Sequence, residues 1–169
     1  NETGVIQPFA ECARIARENG SLFFTDAVQA APYLPIDVKA WGADLLSFSA
    51  HKFYGPKGVG ALYIRRGVKI GRLIAGGEQE RGLRGGTVNV PAVAGLAAAY
   101  EKNVKGMAEN NARIAALKKL FLKEIFAKVP AATLNGDGEN CLPSIVNLCF
   151  EGIDNAAFLY NMDLHGVAV

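Results

Sequence analysis

The chain has 169 residues, of which 50% are hydrophobic and 20% charged, and its formal net charge is +2. This composition indicates a well-filled globular domain and excludes disordered and fibrous classes. The small charge, with no stripe of Lys or Arg, argues against a nucleic-acid partner, and no apolar run approaches the ~18 residues of a membrane span.

Strands alternate with helices and turns in the first half of the chain. In chain order, the sequence predicts a helix from Pro8 to the Asn19-Gly20 stop, a strand over 21–25, a short helix over 27–31, a strand over 45–49, a turn over 55–58 and a strand over 60–64. The strands are nearly continuous in apolar residues, which is typical of a sheet covered on both faces. We therefore expect an α/β fold.

The second half predicts a smaller α+β unit, with a boundary near 87–91. A charged, glycine-rich stretch over 76–86 precedes it and suits a functional loop. The later predicted elements are a helix over 90–102, a helix over 111–128, a strand over 144–150, a helix over 155–164 and a strand beginning at Gly166. The polar start at Asn1 and this strand at the other end lead us to expect a fragment of a longer protein.

Three cysteines, Cys12, Cys141 and Cys149, show neither a disulfide framework nor metal-like spacing. This predicts no metal site and a reducing, cytoplasmic location. Cys12 and Cys149 fall within apolar stripes, where we expect them to behave as small hydrophobes. Cys141 precedes Leu142-Pro143 and is the more exposed candidate, but no neighbouring residue is expected to activate its thiol. All three cysteines are therefore interpreted as structural.

Polar side chains follow two of the predicted strands. Asp26 comes directly after one strand, with Gln29 a turn later, and Ser49, His51 and Lys52 follow another. Ligands collect outside the carboxyl ends of strands in open α/β sheets. An amine, a carboxylate and phosphate-binding groups suit a phosphorylated pyridine aldehyde. Each residue alone also fits a helix cap or an ordinary loop.

A family resemblance joins these residues. The stretch SFSAHKFYGPKGVG around Lys52 resembles the cofactor-lysine motif of cysteine desulfurases, which depend on pyridoxal 5'-phosphate (PLP). The segments NETG at Asn1, DAVQ at Asp26 and ERGLRGGT ending at Thr87 are similar to further motifs of that family, in the same order. The resemblance implies an aspartate-aminotransferase-type (fold type I) fold, with residues 1–88 in the PLP-binding large domain and 89–169 in the small C-terminal domain.

The resemblance also implies roles for individual residues. Lys52 would bind the cofactor and later move protons, and His51 would act beside it as a catalytic and phosphate-binding residue. The other implied contacts are Asp26 to the pyridine nitrogen, Gln29 to the phenolic oxygen, Ser49 to the phosphate, Thr87 to the phosphate of the other subunit of a homodimer, and Asn1 near the substrate carboxylate. Lys57, in the nearby turn, is the weaker candidate for the lysine. Arg81 and Arg84 are expected to brace the glycine-rich stretch.

The implied reaction converts L-cysteine to L-alanine and leaves persulfide sulfur for iron–sulfur scaffolds or other sulfur-acceptor proteins. The family's catalytic cysteine would follow Val169, so we expect the 169 residues to be inactive alone. Two alternatives keep the fold, namely a selenocysteine lyase and a kynureninase-like enzyme. A third is a non-catalytic fragment that binds sulfur-acceptor proteins.

Overall fold

A computed structural model describes all residues from Asn1 to Val169. The elements are α1 (Phe9–Glu18), β1 (Phe24–Asp26), β2 (Leu45–Ser49), β3 (Gly60–Ile64), α2 (Val90–Lys128), β4 (Ala132–Leu134), β5 (Leu148–Phe150) and α3 (Asn155–Leu164). The chain forms two compact units, residues 7–111 and residues 1–6 with 112–169. The division falls inside α2, and the predicted boundary after residue 88 stays a prediction. None of these helices combines the length and the apolar character that crossing a bilayer requires.

The first unit is built on a three-stranded sheet in the order β1-β2-β3. β2 pairs in parallel with β1, where Asp26 lies opposite Ser47, and antiparallel with β3, where Ser49 lies opposite Gly60. The predicted β2 and β3 are confirmed, whereas β1 begins three residues later than the predicted strand. A core cluster of small and large apolar residues, which includes Leu46, packs against the sheet.

Helix α1 confirms the prediction from apolar spacing. It begins after Pro8, and Asn19 and Gly20 end it, with Gly20 at a left-handed φ of 67°. Its single buried residue is Ala13, so the helix rests on one narrow stripe. On the exposed side, Arg14 pairs with Glu18 one turn later at 2.6 Å.

The predicted short helix over 27–31 is wrong. The chain makes turns there, and a single α-turn is closed by the Ala31 N–H, which donates to the Ala27 carbonyl at 2.8 Å. Pro32 follows at once and has no N–H to continue the helical ladder. The segment therefore stays a compact turn between β1 and the rest of the unit.

α2 is one continuous helix of 39 residues where two helices were expected. The expected gap between the two helices, residues 103–110, contains Gly106. A single glycine costs a helix only about 1 kcal/mol relative to alanine. Neighbours such as Lys105, Met107 and Ala108 favour the helix, and it continues through the glycine.

In the second unit, β4 pairs antiparallel with β5. β4 was not predicted, and only the end of the predicted strand over 144–150 is a strand. α3 occupies the predicted residues and is capped by Asp154, whose carboxylate accepts from the Ala157 N–H at 2.8 Å. Residues 166–169 form no strand, contrary to the expectation.

Candidate functional site

Lys52 lies in a 3-10 turn, Ala50–Phe53, that directly follows β2 and is called the lysine turn below. The first and last residues of this turn are buried, with Ala50 0% and Phe53 1% exposed. Residues three apart share one side of a 3-10 helix. The two residues between them, His51 and Lys52, are therefore exposed, and neither side chain makes a hydrogen bond or ion pair.

The lysine turn ends sharply. Tyr54 adopts a left-handed φ of 64° and is fully exposed, and the Gly55 N–H returns to the Ala50 carbonyl at 2.9 Å. A Cβ at Gly55 would lie 2.8 Å from the Ala50 Cβ, so only glycine fits this return without a shift. The Ala50 N–H in turn donates to the Val59 carbonyl at 3.1 Å. The turn is thus fixed at both ends.

Asp26 ends β1 and is exposed. Its Oδ1 accepts from the Val28 N–H at 2.8 Å, while its Oδ2 makes no hydrogen bond. The next residue, Ala27, is buried and donates its N–H to the Ser47 carbonyl of β2 at 2.8 Å. Gln29 is half-buried on the α-turn that follows, and its amide makes no hydrogen bond. One carboxylate oxygen and one amide are therefore free for a ligand.

The parallel pairing of β1 and β2 brings these residues to one edge of the sheet. Asp26 is opposite Ser47, and Ser49 is two residues further along β2. At ordinary strand spacing, the Cα atoms of Asp26 and Ser49 are about 8 Å apart. The structure therefore brings together four of the predicted groups at this edge: the Asp26 carboxylate, the Ser49 hydroxyl, the His51 imidazole and the Lys52 amine.

A buried cluster links the Asp26 side of this edge with the lysine turn. Ala31, which closes the α-turn below Gln29, is 0% exposed and packs with Ala50 and Phe53. Aromatic rings surround the contact: Phe48 and Phe53 have centroids 6.0 Å apart, and Tyr100 of α2 lies within 5.5 Å of both. Burial raises the pKa of the Tyr100 hydroxyl. The two halves of the edge thus share one core.

The glycine-rich loop, residues 76–86, is held differently. Arg72 donates to the Gly82 carbonyl, to the Gly76 carbonyl at 3.0 Å and to the Glu78 carboxylate at 3.0 Å. The expected bracing by Arg81 and Arg84 is wrong, since Arg81 makes no hydrogen bond and Arg84 bonds only the adjacent Gly85 carbonyl. The carbonyls of Gly76 and Gly82 accept hydrogen bonds from Arg72 and not from these two arginines.

Thr87 and Asn1 lie outside the strands and turns that form this edge. Thr87 is exposed just after the glycine-rich loop and makes no hydrogen bond. Asn1 is exposed in the unit that contains 112–169, and its amino group lies 3.7 Å from the Glu2 carboxylate. The roles given to these two residues stay predictions.

The cysteines differ from the expectation. Cys12 and Cys149 are exposed, so their expected burial is wrong: the apolar patterns around them belong to elements with little covering them. Cys141 is half-buried, and its sulfur accepts a hydrogen bond from the Lys118 ammonium at 2.9 Å. This pair spans 23 residues, and no local pattern in the sequence indicates it.

Two asparagines of α2 were also missed. Asn103 and Asn111 donate their side-chain amides to backbone carbonyls of residues 31–33, more than 70 residues away in sequence. Asparagine inside a helix is unfavourable without a hydrogen-bonding partner. The residue type alone did not mark these two contacts, since Asn110 of the same helix is exposed and makes no hydrogen bond.

The free groups at the edge fit PLP. The cofactor needs an amine for its aldehyde, a carboxylate for its ring nitrogen and hydrogen-bond donors for its phosphate. Lys52, the free Oδ2 of Asp26, Ser49 and His51 supply this set, and no group of the chain occupies them.

Comparison with known proteins agrees with this chemistry. The family model described as Aminotransferase class-V matches residues 1–169. The chain is 46% identical over 169 residues to the cysteine desulfurase IscS of Clostridium botulinum, strain Hall, covering 99% of this chain and 43% of that protein. It therefore spans less than half the length of that relative.

Solved structures agree as well. A NifS-like protein from Rickettsia africae matches with a TM-score of 0.95 at 33% identity, covering 99% of this chain and 46% of that one. The structure of SspA in complex with cysteine matches with a TM-score of 0.73 at 34% identity, covering 97% and 44% respectively. These matches confirm the predicted α/β fold class. The chain belongs to the class-V aminotransferase family and has the fold of its NifS-like, fold type I members.

Proposed function

We propose that the protein acts in a PLP-dependent cysteine desulfurase. The reaction takes L-cysteine and an enzyme thiol to L-alanine and an enzyme persulfide, so every atom of the substrate is accounted for. The observation that carries the proposal is the free Lys52 amine on a fixed turn, at the same sheet edge as the free Asp26 oxygen. The relative from C. botulinum that carries the name cysteine desulfurase supports the choice of substrate, as does the cysteine bound to SspA.

When bound, PLP supplies an aldehyde and a ring that accepts electrons from the substrate. Lys52 binds through its Nζ, which nothing in the chain occupies, and then takes up and returns a proton at that nitrogen. The Asp26 carboxylate would keep the ring nitrogen protonated, and the Gln29 amide would donate to the phenolic oxygen. Ser49 and His51 would donate hydrogen bonds to the phosphate, whose negative charge strengthens such bonds.

The remaining contacts belong to the same proposal. Thr87 would donate to the phosphate of the other subunit in a homodimer, and the motif at Asn1 implies a role for this residue near the substrate carboxylate. The persulfide passes to an iron–sulfur scaffold or to another sulfur-acceptor protein. Three free cysteines support a reducing location, which we propose to be the cytoplasm.

The proposal is tested by locating the lysine that binds PLP. The protein is mixed with PLP, its visible absorption is recorded, and borohydride reduction followed by peptide mass spectrometry identifies the labelled lysine. We expect the label on Lys52 and loss of the absorption band in Lys52→Ala. Lys57→Ala, five residues away in an exposed turn, is the matched control and retains the band. A label on Lys57, or no label, contradicts the proposal.

The substrate is tested in a full-length protein that contains these 169 residues, because the 169 residues alone are expected to be inactive. L-Cysteine should yield alanine and sulfide in equal amounts in the presence of a thiol reductant. Preference for selenocysteine or for kynurenine over L-cysteine, measured as kcat/KM, would assign the site to one of the alternative reactions.

A further inference from the structure

Three consecutive carbonyl groups below the site receive no main-chain hydrogen bond. They belong to Ala31, Pro32 and Tyr33, in the segment that follows Gln29. Main-chain donors of this segment point elsewhere, since the Tyr33 and Leu34 N–H groups both donate to the Ala30 carbonyl, at 2.9 and 2.8 Å. Backbone acceptors left without a partner in a partly buried place lose free energy, so their partners matter.

Side chains of α2 supply these partners. The Asn103 amide donates to the Pro32 carbonyl at 3.1 Å and to the Ala31 carbonyl at 3.4 Å. The Asn111 amide donates to the Tyr33 carbonyl at 2.7 Å. One helix therefore supplies every side-chain donor that these carbonyls have, and Asn103 supplies two of the bonds.

Asn103 also occupies a particular place on α2. Tyr100, almost one turn earlier, has its ring stacked on Phe48 of β2 at 5.5 Å and set edge-on to Phe53 of the lysine turn at 5.4 Å. The same stretch of helix thus contacts the lysine turn through Tyr100 and the segment after Gln29 through Asn103. Between these two contacts lies the buried packing of Ala31 on Ala50.

We propose that Asn103 is a positioning residue of the cofactor site, which fixes the turn that carries Gln29, directly after Asp26, relative to the turn that carries Lys52. The inference rests on the proposed function. Asn103 touches neither ligand nor reacting atoms, and it acts through the Ala31 and Pro32 carbonyls. Small displacements of aligned groups reduce rates strongly, which is why a distant amide affects chemistry.

The experiment compares Asn103→Ala with Asn110→Ala. Asn110 is an exposed asparagine of the same helix and makes no hydrogen bond, so it is a matched control for helix propensity. Asn103→Asp is a second variant of nearly the same size that replaces the donor by an oxygen. If Asn103→Ala folds poorly, Asn103→Asp still tests whether the amide donor is needed. Hydrogen exchange and the visible spectrum with PLP across pH are measured for each variant of this chain. The values of kcat and KM for L-cysteine are measured for the same substitutions in a full-length protein that contains these 169 residues, because the 169 residues alone are expected to be inactive.

We expect the Ala31, Tyr33 and Leu34 amides to exchange about tenfold faster in Asn103→Ala, without added cofactor, because the segment opens locally. With PLP, the pH midpoint of the absorption band shifts by about 0.5 units and kcat falls about tenfold, while KM changes less than about twofold. Asn110→Ala matches the unmodified protein in all four measurements.

The failures can be told apart. If the unmodified protein binds no PLP at Lys52, the proposed function is wrong and the positioning role is wrong with it. If PLP binds but Asn103→Ala and Asn103→Asp keep the spectrum and kcat of Asn110→Ala, the positioning role alone is overturned. Loss of thermal stability with an unchanged pH midpoint would likewise overturn it, because the asparagine would then serve folding only.

Discussion

The lysine turn and the glycine-rich loop are held by opposite means. In the lysine turn, Ala50 and Phe53 are buried in a core cluster and leave the polar residues between them exposed. In the glycine-rich loop, backbone carbonyls bond the guanidinium of Arg72, and Glu80 and Arg81 both adopt left-handed φ values, 51° and 59°. Left-handed conformations of such residues are strained.

This difference indicates what makes the lysine turn and the glycine-rich loop rigid. Burial of apolar side chains ties the lysine turn to the stability of the whole unit, so it opens only when the unit unfolds. Hydrogen bonds from one side chain to exposed carbonyls stabilise modestly, because water competes for the same groups. We expect the loop to open locally while the lysine turn stays closed.

The largest effect is expected from Phe53→Ala. Removing a phenylalanine that is 1% exposed should lower the free energy of unfolding by about 3–5 kcal/mol, measured by denaturant titration. Leu73→Ala, at a residue 94% exposed, is the control and should change it by less than about 0.5 kcal/mol. Equal effects of the two variants would show that burial does not hold the lysine turn.

Acid should weaken the sheet under the lysine turn through Asp44. The hydrogen bond from the Phe23 N–H, at 2.8 Å, and the Arg65 guanidinium, at 2.5 Å, hold the pKa of the Asp44 carboxyl below its ordinary value, against the opposing effect of burial. A pKa lowered by folding gives stability that is complete above the unfolded-state pKa and disappears as pH falls through the folded-state pKa.

Asp44→Asn should therefore cost about 1–3 kcal/mol at pH 7 and flatten the dependence of unfolding free energy on pH below about pH 4. Asp163→Asn, an exposed site on α3, is the control and should leave that dependence unchanged. The curve is measured by denaturant titration between neutral and acid pH. A slope as steep in Asp44→Asn as in the unmodified protein would contradict the assignment.

The smallest change in global stability is expected from Arg72→Met. This variant should lower the free energy of unfolding by less than about 1 kcal/mol, yet speed proteolytic cleavage within residues 76–86 several-fold, since local opening sets the cleavage rate. Arg81→Met is the matched control, because Arg81 lies in the same loop without a hydrogen bond. If both variants are cleaved at the same rate, Arg72 does not brace the loop.

Local patterns predicted the elements on which the candidate site stands. Apolar runs predicted β2 and β3, and the polar residues that end β1 and follow β2 marked Asp26, Ser49 and Lys52 as neighbours of a sheet edge. A parallel pairing of β1 with β2 is enough to bring those ends together. The class-V family membership agrees with the motifs around them.

Summed helix propensities and long-range contacts account for the features that local sequence patterns missed. Continuity of α2 through Gly106 depends on the summed propensity of its neighbours, which outweighs one glycine. The bond from Asn103 to the Pro32 carbonyl spans 71 residues and joins a side chain to a main-chain atom. Since every residue has a carbonyl, the identity of residue 32 gives no indication that Asn103 binds it.

That last property has an evolutionary consequence. A side chain that recognises main-chain oxygen is indifferent to which amino acid carries that oxygen. Homologous proteins can therefore replace residues 31–33 with others of compatible shape, whereas an exchange at 103 or 111 removes the donor itself. We therefore expect more amino-acid substitutions among homologues at residues 31–33 than at Asn103 and Asn111.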